Sequence, residues 1–270
     1  MKRLIFTLLL LFPYLSSLYC QTKTLPQIEN ELHQSYQKIL SLRYDSEEVN
    51  WDALAKQNTI FREKMSKYIS TFPQTITYEF DSLQKDGIDI ITSNDQLLRI
   101  YSWETYTGGT MRLFGNLFQY QSGNKVFSVI SDTINLEEGD YVPFYTQIYT
   151  LATNNRTYYL AINNGIYSTS DVSQSIKIFK IEKNRLVDAN IIKTKSGLSN
   201  SIDVYYDFFS VSDRTERPLN LIKFDPEKKM ILVPIVFENG KVTERFIIYQ
   251  FKGKYFELSE IQKTTDTNKN

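Results

Sequence analysis

The spacing of apolar residues changes period once along this chain, between Pro73 and Thr75, and that change limits the folds open to it. Before it, Ile28, Leu32, Tyr36, Ile39 and Leu40 recur three and four apart, the spacing that lines up side chains on one helix face. Pro26 suits the first turn of that helix. Trp51, Leu54, Phe61, Met65, Tyr68 and Ile69 form a second stripe, and Asp45-Ser46-Glu47-Glu48 reads as its cap with an acidic first turn. After the change, Ile76, Tyr78 and Phe80 alternate with polar residues, as do Leu98 and Ile100, Leu113 with its neighbours, and Ile176, Ile178 with Phe179, and Ile181. The chain is therefore predicted to be mainly β: an antiparallel meander, closed as a sandwich, barrel or small propeller-like array, preceded by a helical hairpin.

Turn signals divide the β region into short runs. They fall at Lys85-Asp86-Gly87, Thr107-Gly108-Gly109, Ser122-Gly123-Asn124, Asn163-Asn164-Gly165, Glu182-Lys183-Asn184, Asp225-Pro226, Glu238-Asn239-Gly240 and Lys252-Gly253-Lys254. The Asn-Gly pairs are the strongest hairpin signals among them. A strand, polar turn and strand recur at 117–129, 176–187 and 246–258, as successive propeller blades or as the ordinary grammar of a meander. The 19 Tyr and 17 Phe fit pleated, half-buried surfaces, and with only 7 Pro and 10 Gly the composition is that of a folded chain.

The N-terminus carries Lys2 and Arg3, an apolar run from Leu4 to Phe12, then Pro13, Ser16 and Ser17. This is the pattern of an export signal, and the run is short of the roughly 20 residues needed to span a bilayer core. Cleavage is placed between Cys20 and Gln21; lipidation of Cys20 is the alternative, disfavoured by the bulky Tyr19 before it. The expected organisation is a signal over 1–20, a helical segment over 21–73, a β domain over 74–262 and a disordered tail over 263–270, in a periplasmic or extracellular protein without a transmembrane helix.

The stretch Leu98-Arg99-Ile100-Tyr101-Ser102-Trp103-Glu104, followed by Gly108-Gly109-Thr110-Met111 and Phe118-Gln119-Tyr120, resembles a segment of uncharacterised exported proteins of Bacteroidota, as does the signal ending at Cys20-Gln21. The resemblance implies a bacterial envelope or secreted origin and assigns no chemistry.

Charge and reactive residues narrow the function. With 31 basic and 31 acidic residues there is no broad positive field, so nucleic acid is not an expected partner. His33 is the single histidine and lies in the helical segment, and Cys20 is the single cysteine, so histidine-dependent triads, multi-histidine zinc sites and cysteine nucleophiles are unsupported in the β domain. No cofactor or metal is expected. Carboxylate chemistry remains open through Glu79, Asp81, Asp89, Glu104 and Asp207. Trp103 beside Glu104 is the candidate ligand-binding pair, an indole to stack on a sugar and a carboxylate to bond its hydroxyls; the plain alternative is a core indole and a solvated acid. Leu136-Glu137-Glu138-Gly139-Asp140 reads as an acidic turn rather than a calcium loop, and Asp213-Arg214-Thr215-Glu216-Arg217-Pro218 as a charged loop. Tyr158-Tyr159 and Tyr205-Tyr206 each place one ring on each sheet face, so some phenols should be exposed. The resulting expectation is an exported, non-enzymatic binding or structural module of unknown ligand. The alternatives are a glycan-binding protein or carboxylate-dependent glycosidase, and an envelope interaction subunit that docks through its helices.

Overall fold

The computed structural model describes residues 23–45, 47–130 and 142–263. The export signal, Cys20, the 136–140 turn and the tail beyond Lys263 lie outside the described residues. Two helices come first: α1 (Leu25–Tyr44) and α2 (Trp51–Thr71). Thr24 and Gln27 form a capping box at α1 with Pro26 in the first turn, satisfying backbone N–H groups that have no partner inside the helix. At α2 the cap is Asn50, whose side chain accepts from the Ala53 N–H at 3.0 Å, not the acidic run before it. Trp51 therefore stands at the first helical position and is 53% exposed, while Leu54, Phe61, Met65, Tyr68 and Ile69 are buried as their spacing predicts.

The Ile76, Tyr78, Phe80 alternation does not make a strand. A 3-10 turn covers Pro73–Ile76 and a short helix, α3, covers Asp81–Lys85, so the β region opens only at β1 (Asp89–Thr92). The cause is a buried guanidinium: Arg99 donates through Nη1 to the carbonyls of Thr75 at 2.8 Å and Tyr78 at 2.6 Å, holding this segment across the sheet. Gln119 adds bonds from Nε2 to the Ile69 carbonyl and the Thr75 hydroxyl, and accepts from the Tyr101 hydroxyl. Backbone groups satisfied this way have no need of a ladder.

The first sheet continues with β2 (Leu98–Glu104), β3 (Phe114–Ser122) and β4 (Lys125–Ile130), in the order β1-β2-β3-β4. The second is built on β5 (Phe144–Ala152), β6 (Thr157–Ile166) and β7 (Asp171–Glu182). On the edge away from β6, twelve-residue β7 serves two partners in series, β8 (Arg185–Asp188) along its second half and β11 (Ser201–Asp207) along its first. Between them run β9 (Ile192–Thr194) and β10 (Gly197–Ser199), which belong to the third sheet with β12 (Lys223–Asp225), β13 (Met230–Val236), β14 (Val242–Phe251) and β15 (Phe256–Lys263). All ladders are antiparallel except the short parallel bridge of Phe256 to Ile192. The sheets do not close into a barrel, and β15 takes in Lys263, the first residue of the predicted tail.

Strand alternation sorts the three sheets into layers. Tyr101, Trp103 and Leu117 face the helices and share a core with Ile28, Leu32, Tyr36, Phe61 and Met65. Leu98, Ile100 and Phe118 face the other way, onto Tyr145, Tyr159 and Phe179 of the second sheet. That sheet's opposite face, with Leu160, Ile162 and Ile176, packs on Ile231, Val233 and Phe256 of the third. Each copy of the sequence repeat is the hairpin of a different sheet: β3-β4, β7-β8 and β14-β15. Asn163-Asn164-Gly165 is no turn but the end of β6: both asparagines are buried, and Asn164 bonds Thr146 and Gln174 across the two neighbouring strands.

Candidate functional site

One end of the first two sheets carries a cavity of about 490 Å³. Its first wall is the 105–113 loop between β2 and β3, closed on itself where Thr105 donates to the Leu113 carbonyl through both backbone and hydroxyl. Gly108 is required there, because a Cβ would strike the Met111 carbonyl. Arg112 then donates its backbone N–H to the Ile166 carbonyl at 3.0 Å, joining this loop to the end of β6. The second wall is the β6–β7 turn. Ser168 Oγ accepts from the Asp171 N–H at 2.9 Å and donates to the Asp171 carboxylate at 2.6 Å, fixing the turn from within.

The third wall follows β11. Asp207 caps the 3-10 turn Phe208–Val211 by accepting from the Phe209 N–H, and the Phe208 N–H reaches the Ser170 carbonyl at 2.8 Å. Arg217, Pro218 and Leu219 close this side. Leu219 is held by Gln174, fully buried on β7, which donates to the Leu219 carbonyl and accepts from the N–H groups of Leu221 and Ile222. The lining is largely apolar, with Phe144, Ile166, Val172, Phe208, Pro218 and Leu219, and no Asp or Glu contributes to it.

A second concavity, about 620 Å³, lies on the far side of Val172 and Tyr206, which line both. It is aromatic and acidic, with Tyr167, Tyr205 and Phe237 beside Asp171, Asp207 and Glu238. The Tyr167 and Tyr205 rings stand 6.0 Å apart at 35°, and Tyr205 is 64% exposed. Burial, then the neighbouring Tyr167, raises the Tyr205 hydroxyl above its ordinary pKa, so it is a protonated donor at neutral pH.

Trp103 and Glu104 do not act together, because neighbours on a strand point to opposite faces. Trp103 is only 1% exposed: its indole meets Phe61 edge-on at 5.1 Å and donates to the Asn58 side-chain oxygen at 3.3 Å. It is a core residue beneath α2, and no sugar can stack on it in this arrangement. Glu104 turns the other way and pairs with Arg112 at 3.2 Å, beside the cavity rather than in it. His33 bonds Asp86 at 2.6 Å, which also accepts from Gln37, so the histidine ties α1 to the turn before β1. Among the described residues no group of three or more His, Cys, Asp or Glu is placed to hold a metal ion. Among them, too, no helix is long and apolar enough to cross a membrane.

Burial raises the Glu104 carboxyl above the usual carboxylate value, against the pull of Arg112. A carboxyl raised in the folded state contributes stability that is full below its unfolded pKa and is lost as pH rises through the folded value. Glu104→Gln is therefore expected to flatten the fall in stability as pH rises from the ordinary glutamate range of about 4 upward. Urea midpoints of variant and parent across that range test this; curves that stay parallel would show the carboxyl to be unperturbed.

Ser173 is 2% exposed, and its hydroxyl lies 3.4 Å from that of Tyr167. What the arrangement supplies is a preformed apolar hollow with an aromatic, acidic annex. No protein-family profile, curated protein or solved structure matches this chain.

Proposed function

We propose that this chain is an exported, non-enzymatic binding protein that holds a small ligand in the cavity between the 105–113 loop, the β6–β7 turn and the 208–219 segment. The observation that carries this reading is the cavity itself: about 490 Å³, mostly apolar, with walls locked by their own hydrogen bonds. Hollows of that size and character are the usual sites of small-molecule binding. Export rests on the Lys2-Arg3 and Leu4–Phe12 pattern and on the resemblance to exported Bacteroidota proteins.

The test uses a neutral apolar fluorophore, N-phenyl-1-naphthylamine. The parent is expected to bind it saturably at one site, and Thr169→Trp, at an exposed position on the rim, to weaken binding at least tenfold. Equal, unsaturable uptake by both proteins would remove the cavity as a ligand site.

A second reading is favoured by the annex. Tyr167 and Tyr205, inclined and partly exposed beside the Asp171 and Asp207 carboxylates, offer stacking faces and hydroxyl acceptors of the kind that suit a sugar ring. This moves the glycan alternative from Trp103 and Glu104 to the end of β11. On a glycan array, any saccharide bound by the parent should lose its signal in Tyr205→Ala, whose exposed side chain can be removed without disturbing the core. A signal unchanged by that substitution excludes the annex.

A further inference from the structure

We infer that the cavity is built for an amphipathic acid: a single apolar chain carrying one anionic head group, which Arg217 and Arg112 receive at the rim. This rests on the binding reading above and adds to it the chemical class of the ligand.

Charge is the first ground. The chain is neutral overall, yet the charged residues lining this cavity are two arginines and no carboxylate. The annex beyond Tyr206 has the opposite bias, with Asp171, Asp207 and Glu238 and no cation. An anion is thus drawn to one concavity and repelled by the other.

The bonding of Arg217 is the second ground. Its Nη1 donates to the carbonyls of Arg214 and Glu216, both at 2.7 Å, and its Nη2 to that of Ser212 at 3.3 Å. These neutral acceptors fix the guanidinium without cancelling its charge, and among the described residues no carboxylate pairs with it. Of its five N–H donors, the Nε proton and one Nη2 proton are left without an acceptor there. A guanidinium with donors to spare on adjacent nitrogens matches the two oxygens of a carboxylate. Arg112 is the weaker partner, since Glu104 already takes one of its protons.

Shape is the third ground. Below the two arginines the surface turns apolar at Phe144, Ile166, Val172, Phe208 and Leu219, so a ligand that satisfies the rim must carry hydrocarbon into the interior. A small polar anion would leave that surface wet, and a neutral hydrocarbon would leave the arginines unanswered.

The experiment displaces N-phenyl-1-naphthylamine with dodecanoate, dodecanol or dodecyltrimethylammonium, in the parent chain, in Arg217→Lys and in Arg112→Gln/Arg217→Gln. In the parent, dodecanoate should compete at least tenfold better than dodecanol, and the ammonium worst of all. Arg217→Lys, which keeps the charge and loses the fork, should retain part of the preference; the double variant should still bind the fluorophore and treat acid and alcohol alike. Dodecanol competing as well as dodecanoate in the parent would overturn the acid and leave the cavity as a ligand site. A parent that takes up no fluorophore saturably would overturn the site and the acid together.

Discussion

Gln174→Ala is expected to lower the stability of the chain by about 4 kcal/mol or more and to abolish ligand uptake in the cavity at temperatures where the parent still binds. Gln174 is fully buried and makes four hydrogen bonds: from Nε2 to Asn164 and to the Leu219 carbonyl, and to Oε1 from the N–H groups of Leu221 and Ile222. Three of its partners are backbone groups of one segment that enters the core without a ladder. Removing the amide strands them, and each buried polar group left unpaired costs about 1–3 kcal/mol. Against a total of about 5–15 kcal/mol, this is the largest loss a single side chain in the second sheet is expected to cause. Gln174→Leu is the control, since it keeps the volume and strands the same groups; denaturation midpoints of the two variants should fall together. If Gln174→Leu matched the parent, the bonds to 219–222 would be incidental and the wall held by packing alone.

The same residue shows why the site was hard to see in advance. Gln174 lies midway between Val172 and Ile176, flanked by Ser173 and Ser175, where its period-two position marks it as inward-facing but nothing in the sequence names its partners 45 to 48 residues away. The elements themselves were more legible. Pro26 and the three-and-four stripes placed both helices, and Gly123, Asn184 and Gly253 sit at positive φ in the β3-β4, β7-β8 and β14-β15 turns that the sequence marks. Two local signals misled because a tertiary partner outbid them. Asn163-Asn164-Gly165 has the chemistry of a turn, but a buried Asn164 with bonds to two strands is worth more inside the sheet. The Ile76-Tyr78-Phe80 alternation was overridden by Arg99.

Of the site, single pieces were visible and their assembly was not. The Tyr205-Tyr206 pair puts one ring on each sheet face without saying which is exposed, Asp207 is one carboxylate among several, and the Asp213–Pro218 loop stands out by its charge. Residues from the β2–β3 loop, the β6–β7 turn and the segment after β11 meet only because the first two sheets stack with those ends together, which no local pattern encodes. The Trp103-Glu104 pairing fails on a rule the sequence did carry: once the segment is read as a strand, adjacent residues part to opposite faces.

Gly115→Ala is the second large effect, and its sign runs against propensity. Alanine in place of a strand-interior glycine ordinarily stabilises by roughly 0.5–1 kcal/mol, because glycine loses more chain entropy on folding. Here Gly115 lies directly opposite Trp103 in the β2–β3 ladder, and a Cβ at 115 would fall against Cζ2 and Cε2 of the indole, with Cη2 at 2.8 Å. The ring has nowhere to go, pinned by Phe61 on one edge and Asn58 at its nitrogen, and α2 lies above it. Relieving the overlap means lifting the helix from the sheet, and overpacking of this kind costs about 1–3 kcal/mol. Urea denaturation should show the midpoint falling with the slope unchanged. A double-mutant cycle assigns the cause: in Trp103→Leu the overlapping ring atoms are gone, so Gly115→Ala should then cost nothing or stabilise, giving a coupling energy as large as the single-variant loss. If Gly115→Ala cost the same in both backgrounds, the bare strand at 115 would be answering to something other than the indole. Because the helices cover the face of the first sheet turned away from the cavity, the folded fraction of Gly115→Ala should bind ligand with the parent's affinity, separating the layer that holds the fold from the end that holds the ligand.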